Sequence, residues 1–144
     1  MPKMIFVNLP VADLKQGTAF YESIGATKNP QFSDDTASCM VFSETIYAML
    51  LTHDKYRQFT SKKIVDAKTS SEVLIALSAD SRDDVDAMVG KAQAAGAIID
   101  PTPTQDLGFM YGRSFEDPDG HIWEVACMDV EAATSGGDQS AAAA

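Results

Sequence analysis

Two short stretches of this chain repeat one another in type and spacing, and that repetition constrains the fold more than any other feature. Gly25-Ala26-Thr27-Lys28-Asn29-Pro30 and Gly96-Ala97-Ile98-Ile99-Asp100-Pro101 share the pattern Gly-Ala-x-x-x-Pro. Each closes a segment of helical periodicity, in keeping with the habit of Gly to end helices and of Pro to follow them. Before the first, Asp13 is placed to cap a helix that carries Leu14, Phe20, Tyr21 and Ile24. Before the second, Asp80 or Ser81 caps a helix whose Val85, Met88, Val89, Ala92 and Ala95 return to one face. A run of strand formers precedes each helix: residues 4–9, closed by Pro10, and residues 73–77. Three strand candidates follow each: Gln31 to Phe32, 37–43 and 46–52 in the first half, then 98–99, 109–115 and 121–128 in the second. The order βαβββ therefore occurs twice, which reads as an internal repeat.

The 144 residues suffice for one domain that buries roughly two-thirds of its unfolded surface. The expected domain runs from 1 to 128, built of modules 1–56 and 71–128. The polar, weakly periodic residues 53–70 connect the modules with one helical turn, and 129–144, small and polar, form a disordered tail. No apolar run approaches a membrane span and the N-terminus lacks a signal-peptide pattern, so the chain is expected in the cytoplasm without a membrane partner. With 11 Lys plus Arg against 21 Asp plus Glu, a net charge of −10, a nucleic-acid partner is not expected, because phosphate binding relies on clustered cations. Two Cys and two His exclude zinc fingers and disulfide scaffolds, and Cys39 and Cys127 read as buried structural thiols.

The paired βαβββ modules, the opening LPVADLKQGTAFYESIGA and the closing FEDPDGHIWEV together resemble the vicinal oxygen chelate superfamily, which includes lactoylglutathione lyase, extradiol dioxygenases and bleomycin-resistance proteins. The resemblance covers the chain to about Met128, and its most specific piece is Asp117-Pro118-Asp119-Gly120 with Glu124 four residues on. It implies an α+β fold: two modules whose curved mixed sheets form half-barrels, with the helices outside and the site in the concavity. It also implies a homodimer, with modules pairing within or between chains.

The metal positions implied by the resemblance fall on Phe6, near Leu50, on Leu74 and on Glu124. Phe cannot bind a metal, and Met49, Leu51, Val73 and Ile75 beside the other two positions offer neither a hard oxygen nor an imidazole. No cofactor is therefore expected. Strand alternation gives a similar picture: Ile5, Val7 and Leu9 turn toward a helix, Phe6 and Asn8 away from it, Leu74 and Ala76 likewise, and Ile122, Glu124 and Ala126 share a face. Glu124 in such a cavity is either a general base or half of a structural ion pair. If residues 117–120 form a four-residue loop, Glu116 faces His121, Arg113 faces Glu124, and Tyr111 lies opposite Ala126 on the same face.

Other candidates read as structural. His121 and Glu124 point to opposite faces of a strand and cannot share an ion. His53 sits in a loop, Trp123 packs under a helix, and Asp80, Asp83, Asp84 and Asp86 form a solvated helix start. The leading expectation is metal-independent, bleomycin-resistance-like binding of a small, partly apolar molecule by Phe6, Asn8, Leu50, Leu74, Tyr111, Arg113 and Glu124. The alternatives are a lyase, isomerase or dioxygenase using a divalent metal, and cofactor-free catalysis with Glu124 as base.

Overall fold

The computed structural model describes residues 2–129, so the expected tail lies outside the described residues apart from Asp129. The described chain forms two compact units: 2–72 together with 117–121, and 73–116 together with 122–129. Both are α+β, and each carries one open sheet of mixed strand direction.

In the first unit, strand β1 (Ile5–Val11) leads into helix α1 (Leu14–Ser23), followed by β2 (Thr27–Asn29), β3 (Ala37–Val41), β4 (Ile46–Thr52) and the short helix α2 (His53–Tyr56). The sheet order is β1-β4-β3-β2, with β1 parallel to β4 and the other pairs antiparallel. In the second unit, β5 (Ile75–Ser78) leads into α3 (Arg82–Ala94), then β6 (Ile98–Ile99), β7 (Gln105–Asp106), β8 (Met110–Glu116) and β9 (Ile122–Met128). Its order is β5-β9-β8-β6, with β5 parallel to β9 and β7 added to β8. First strand beside last, third beside last, second at the far edge: the two units have one topology, and the repeat is real at the level of strand pairing.

The shared Gly-Ala has a local cause. Ile24 and Ala95 cap the two helices, and Gly25 and Gly96 follow with φ of 111° and 92°. Gly25 N donates to Glu22 O and Ala26 N to Tyr21 O, while Gly96 N donates to Gln93 O and Ala97 N to Ala92 O. Both are Schellman endings, which place Gly in the left-handed region and satisfy the last carbonyls of the helix. The N-termini are closed as the sequence indicates, Asp13 accepting from Gln16 N and Ser81 from Asp84 N.

Three expectations are corrected here. Pro10 does not end β1, because β1 is an edge strand and Pro removes no ladder bond when its nitrogen faces outward. The strand after α1 is Thr27–Asn29, whereas Pro30–Phe32 is a single 3₁₀ turn opened by the Asn29 side chain, which accepts from Gln31 N. The third concerns β8 and β9: the connection between them is five residues long, not four, and the register pairs Ser114 with Glu124 and Arg113 with Val125.

The first unit is organised around α1. Val11 and Leu50 pack against Gly17, with Leu50 Cδ1 3.4 Å from where a Cβ would stand, and Tyr21, Ile24 and Met40 are fully buried. Thr18 and Ser38 share a buried hydroxyl hydrogen bond of 2.7 Å. In the second unit the buried apolar residues are Val85, Val89 and Ala92 of α3 with Phe115, Trp123 and Val125 of the sheet. Trp123 thus lies on the helix side, as alternation predicts.

Candidate functional site

The loop 117–121 shows what the most specific sequence motif does. Asp117 is buried; its carboxylate accepts from Tyr21 OH at 2.5 Å and from the Asp119 and His121 amides at 3.0 and 2.9 Å. Asp119 accepts from Ala12 N, and the His121 ring Nε2 lies 2.8 Å from Pro10 O. At Gly120, φ is +96° and a Cβ would stand 2.6 Å from Lys68 N. Every side chain or gap of Asp117, Asp119, Gly120 and His121 is therefore used to hold this loop within the first unit. Burial pushes the Asp117 carboxyl up, against the lowering effects of His121 and of the Tyr21 bond.

Glu124 lies on the opposite side of its sheet from α3. The register sets it beside Ser114 on β8 and Ala76 on β5, with Gly112 and Ala126 one pair further along. That face forms one side of a cavity of about 250 Å³. Ala76, Pro103, Met110 and Ala126 give it apolar walls, and Thr102, Gln105, Ser114 and Glu124 add polar groups. Arg113 and Val125 also border it, although alternation sends their side chains to the other side of the sheet.

One wall is the segment after β6. Ser114 Oγ accepts from Thr102 N at 3.2 Å and donates to Thr102 O at 3.3 Å, and Asp100 N donates to Ser114 O. Pairing of β7 with Tyr111 and Gly112 fixes its other end. Arg82 secures β7 through two bonds to the Asp106 carboxylate, which hold that carboxyl at about 2, and stacks over Tyr111 with its guanidinium 4.9 Å from the ring centroid.

Arg113 does not meet Glu124. It donates through Nε and Nη2 to Asp100 at 3.2 and 2.8 Å and through Nη1 to Asp86 at 3.1 Å. Tyr111 OH also donates to Asp86 Oδ1, at 2.6 Å. Asp86 is thus more than part of a solvated helix start. These bonds hold Asp86 and Asp100 below the usual carboxylate range. Asp100 itself has φ of +51°, a conformation Asp tolerates better than most residues. Among the described residues, the Glu124 side chain has neither a hydrogen bond nor an ion pair.

Of the remaining predicted positions, Phe6, Asn8 and Leu50 belong to the first unit and Leu74 to the second. Phe6 and Asn8 are exposed on the side of the first sheet away from α1, with Phe6 stacked on Tyr47 at 4.5 Å between centroids. Leu50 is fully buried on the α1 side, and its neighbours Met49 and Leu51 take the other face. Leu74 precedes β5 and is exposed, which leaves Ala76 as the β5 residue opposite Glu124. His53 opens α2, and Cys39 and Cys127 are free thiols, Cys39 buried and Cys127 partly so. Of the expected site residues, only Glu124 and Arg113 border the cavity. Met110, Gly112, Ser114 and the 102–105 wall were not singled out by the sequence.

The family model for the Glyoxalase/Bleomycin resistance protein/Dioxygenase superfamily matches residues 3–125. The chain belongs to this superfamily. Solved structures of similar fold include a hypothetical protein from S. aureus, with 24% identity, TM-score 0.72, and coverage of 88% of this chain and 94% of that one. A glyoxalase-related enzyme from Fulvimarina pelagi has 19% identity, TM-score 0.71 and 88% coverage of each chain. A genomically encoded fosfomycin resistance protein from Listeria monocytogenes has 20% identity, TM-score 0.63 and coverage of 88% and 91%. No curated protein sequence matches the chain. For a member of the glyoxalase superfamily the donor set is poor: among the described residues no three His, Cys, Asp or Glu side chains are grouped to hold a metal ion. Among the residues that border the cavity, Glu124 is the one carboxylate, and no His or Cys joins it. No described helix is long and apolar enough to cross a membrane.

Proposed function

We propose that this protein binds a small, partly apolar molecule on the open face of its second sheet, without a metal. The observation that carries the reading is a cavity of about 250 Å³ with apolar walls, where, among the described residues, the Glu124 side chain has no protein partner and no further metal-ligating side chain joins it. Binding sites of this kind combine an apolar lining with a few oriented polar groups; the strand register sets Ser114 beside Glu124, and Thr102 is bonded to Ser114. The superfamily supports small-molecule handling in general. Cytoplasmic residence and a homodimer belong to the same proposal, and the dimer is tested by sedimentation.

The test is thermal unfolding against a library of aromatic and amine-bearing compounds. A ligand at a hundred times its Kd stabilises the native state by about 2.7 kcal/mol, which for a chain of this size raises Tm by several degrees. The shift is expected to survive EDTA. A stoichiometric ion that co-purifies with the protein and is lost in Glu124→Ala overturns the metal-independent reading.

A further inference from the structure

We infer that the molecule held in this cavity is an organic cation, an amine or amidine on an apolar body, with Glu124 as its counter-ion; this rests on the binding reading above. The charge balance of the cavity carries the inference. Among its lining residues only Arg113 and Glu124 are ionisable. The Arg113 guanidinium is paired with other carboxylates, donating to both Asp100 oxygens and to Asp86. The carboxylate that borders the cavity is thus not neutralised by Arg113, its diagonal neighbour on the adjoining strand. An anionic ligand would meet Glu124 with no positive group to offset it, while a neutral one would leave the carboxylate partly desolvated and unpaired.

The surroundings suit the rest of such a molecule. Ala76, Gly112 and Ala126 keep the floor beside Glu124 low, since Gly112 carries no side chain and Ala126 Cβ lies only 3.6 Å from where one would begin. Met110 and Pro103 supply the larger apolar walls, and Met adapts readily to the shape of a bound ring. A volume of about 250 Å³ corresponds to roughly eight water molecules, which suits a compact monoamine. The net charge of −10 also favours approach of cations over anions.

Three probes of matched size test this: benzylamine, benzyl alcohol and benzoate, each titrated into the full chain at neutral pH while amide shifts are followed by NMR. Benzylamine is expected to shift the Ala76, Gly112 and Ala126 amides saturably and to bind about tenfold or more tighter than benzyl alcohol, with benzoate weakest. Its advantage is expected to disappear in Glu124→Gln and to shrink with added salt in the wild type, the second measurement requiring no variant. If benzyl alcohol binds at the same amides as tightly as benzylamine, the cation inference falls while the binding reading stands. If no probe moves these amides, both fall.

Discussion

Ser114 and Glu124 stand directly opposite one another across β8 and β9, and this single pairing decides what Arg113 is for. With Ser114 in that place, Arg113 turns to the helix side and ties β8 to Asp86 of α3 and to Asp100 after β6. Glu124 is left facing the cavity alone.

Stability should therefore separate the two residues. Arg113→Ala is expected to cost about 2 kcal/mol, because it strips charged hydrogen bonds from two carboxylates, Asp86 and Asp100. Glu124→Gln is expected to change stability by no more than about 0.5 kcal/mol. Urea unfolding of both variants checks this, and equal losses would restore an Arg113 to Glu124 pair.

Ser114→Ala tests the wall of the cavity. It deletes both bonds to Thr102 and leaves the Thr102 amide without its acceptor. A loss of about 1–2 kcal/mol is expected, together with faster hydrogen exchange at Thr102. Unchanged exchange would mean that β7 alone holds the segment.

Two glycines should respond in opposite senses to Ala. At Gly120 the new Cβ meets the backbone of Ala67 and Lys68 at 2.6–2.8 Å with φ at +96°, so Gly120→Ala is expected to cost about 3 kcal/mol or more. Gly90 lies within α3 with open space around it, and Gly90→Ala is expected to add about 0.5–1 kcal/mol through helix propensity. Thermal unfolding of the pair gives the comparison.

Carboxyl titrations by NMR should diverge in direction. Asp106, bonded to Arg82, is expected near 2, and Asp117 above its ordinary 3.8 because burial outweighs its bonds. A carboxyl raised on folding stabilises the native state below its unfolded pKa, a contribution lost as pH rises through the folded value. The lowered Asp86 and Asp100 act in reverse, stabilising above their unfolded pKa and losing that effect as pH falls through the folded values. Tyr21→Phe removes a bond that lowers Asp117 and should move its midpoint further up.

Much of the fold was legible because local chemistry decided it. Asp13, Ser81 and the two Gly-Ala endings mark both helices, since capping is settled within a few residues. The register of β8 against β9 was not legible. Asp117 accepts amides from within its own loop and draws His121 into it, and one added residue moves every side chain of a paired strand to a different neighbour. For that reason Glu124 and its face were found while its supposed partner was misplaced. The short β7 has no strand formers to announce it and exists because Arg82, distant in sequence, grips Asp106. Leu50 was one residue out of phase, and in a strand one residue is the difference between core and open face.

The loop 117–121 also orders events during synthesis. Ala12 N, Pro10 O and the Tyr21 hydroxyl all find their partners in residues made long after the first βαβββ repeat is complete. The first unit therefore waits, on the ribosome, for His121 to emerge before it holds its full set of contacts. Cutting the chain between its two repeats is therefore not expected to yield two self-sufficient halves, because the first sheet's unit includes a turn that lies within the second repeat.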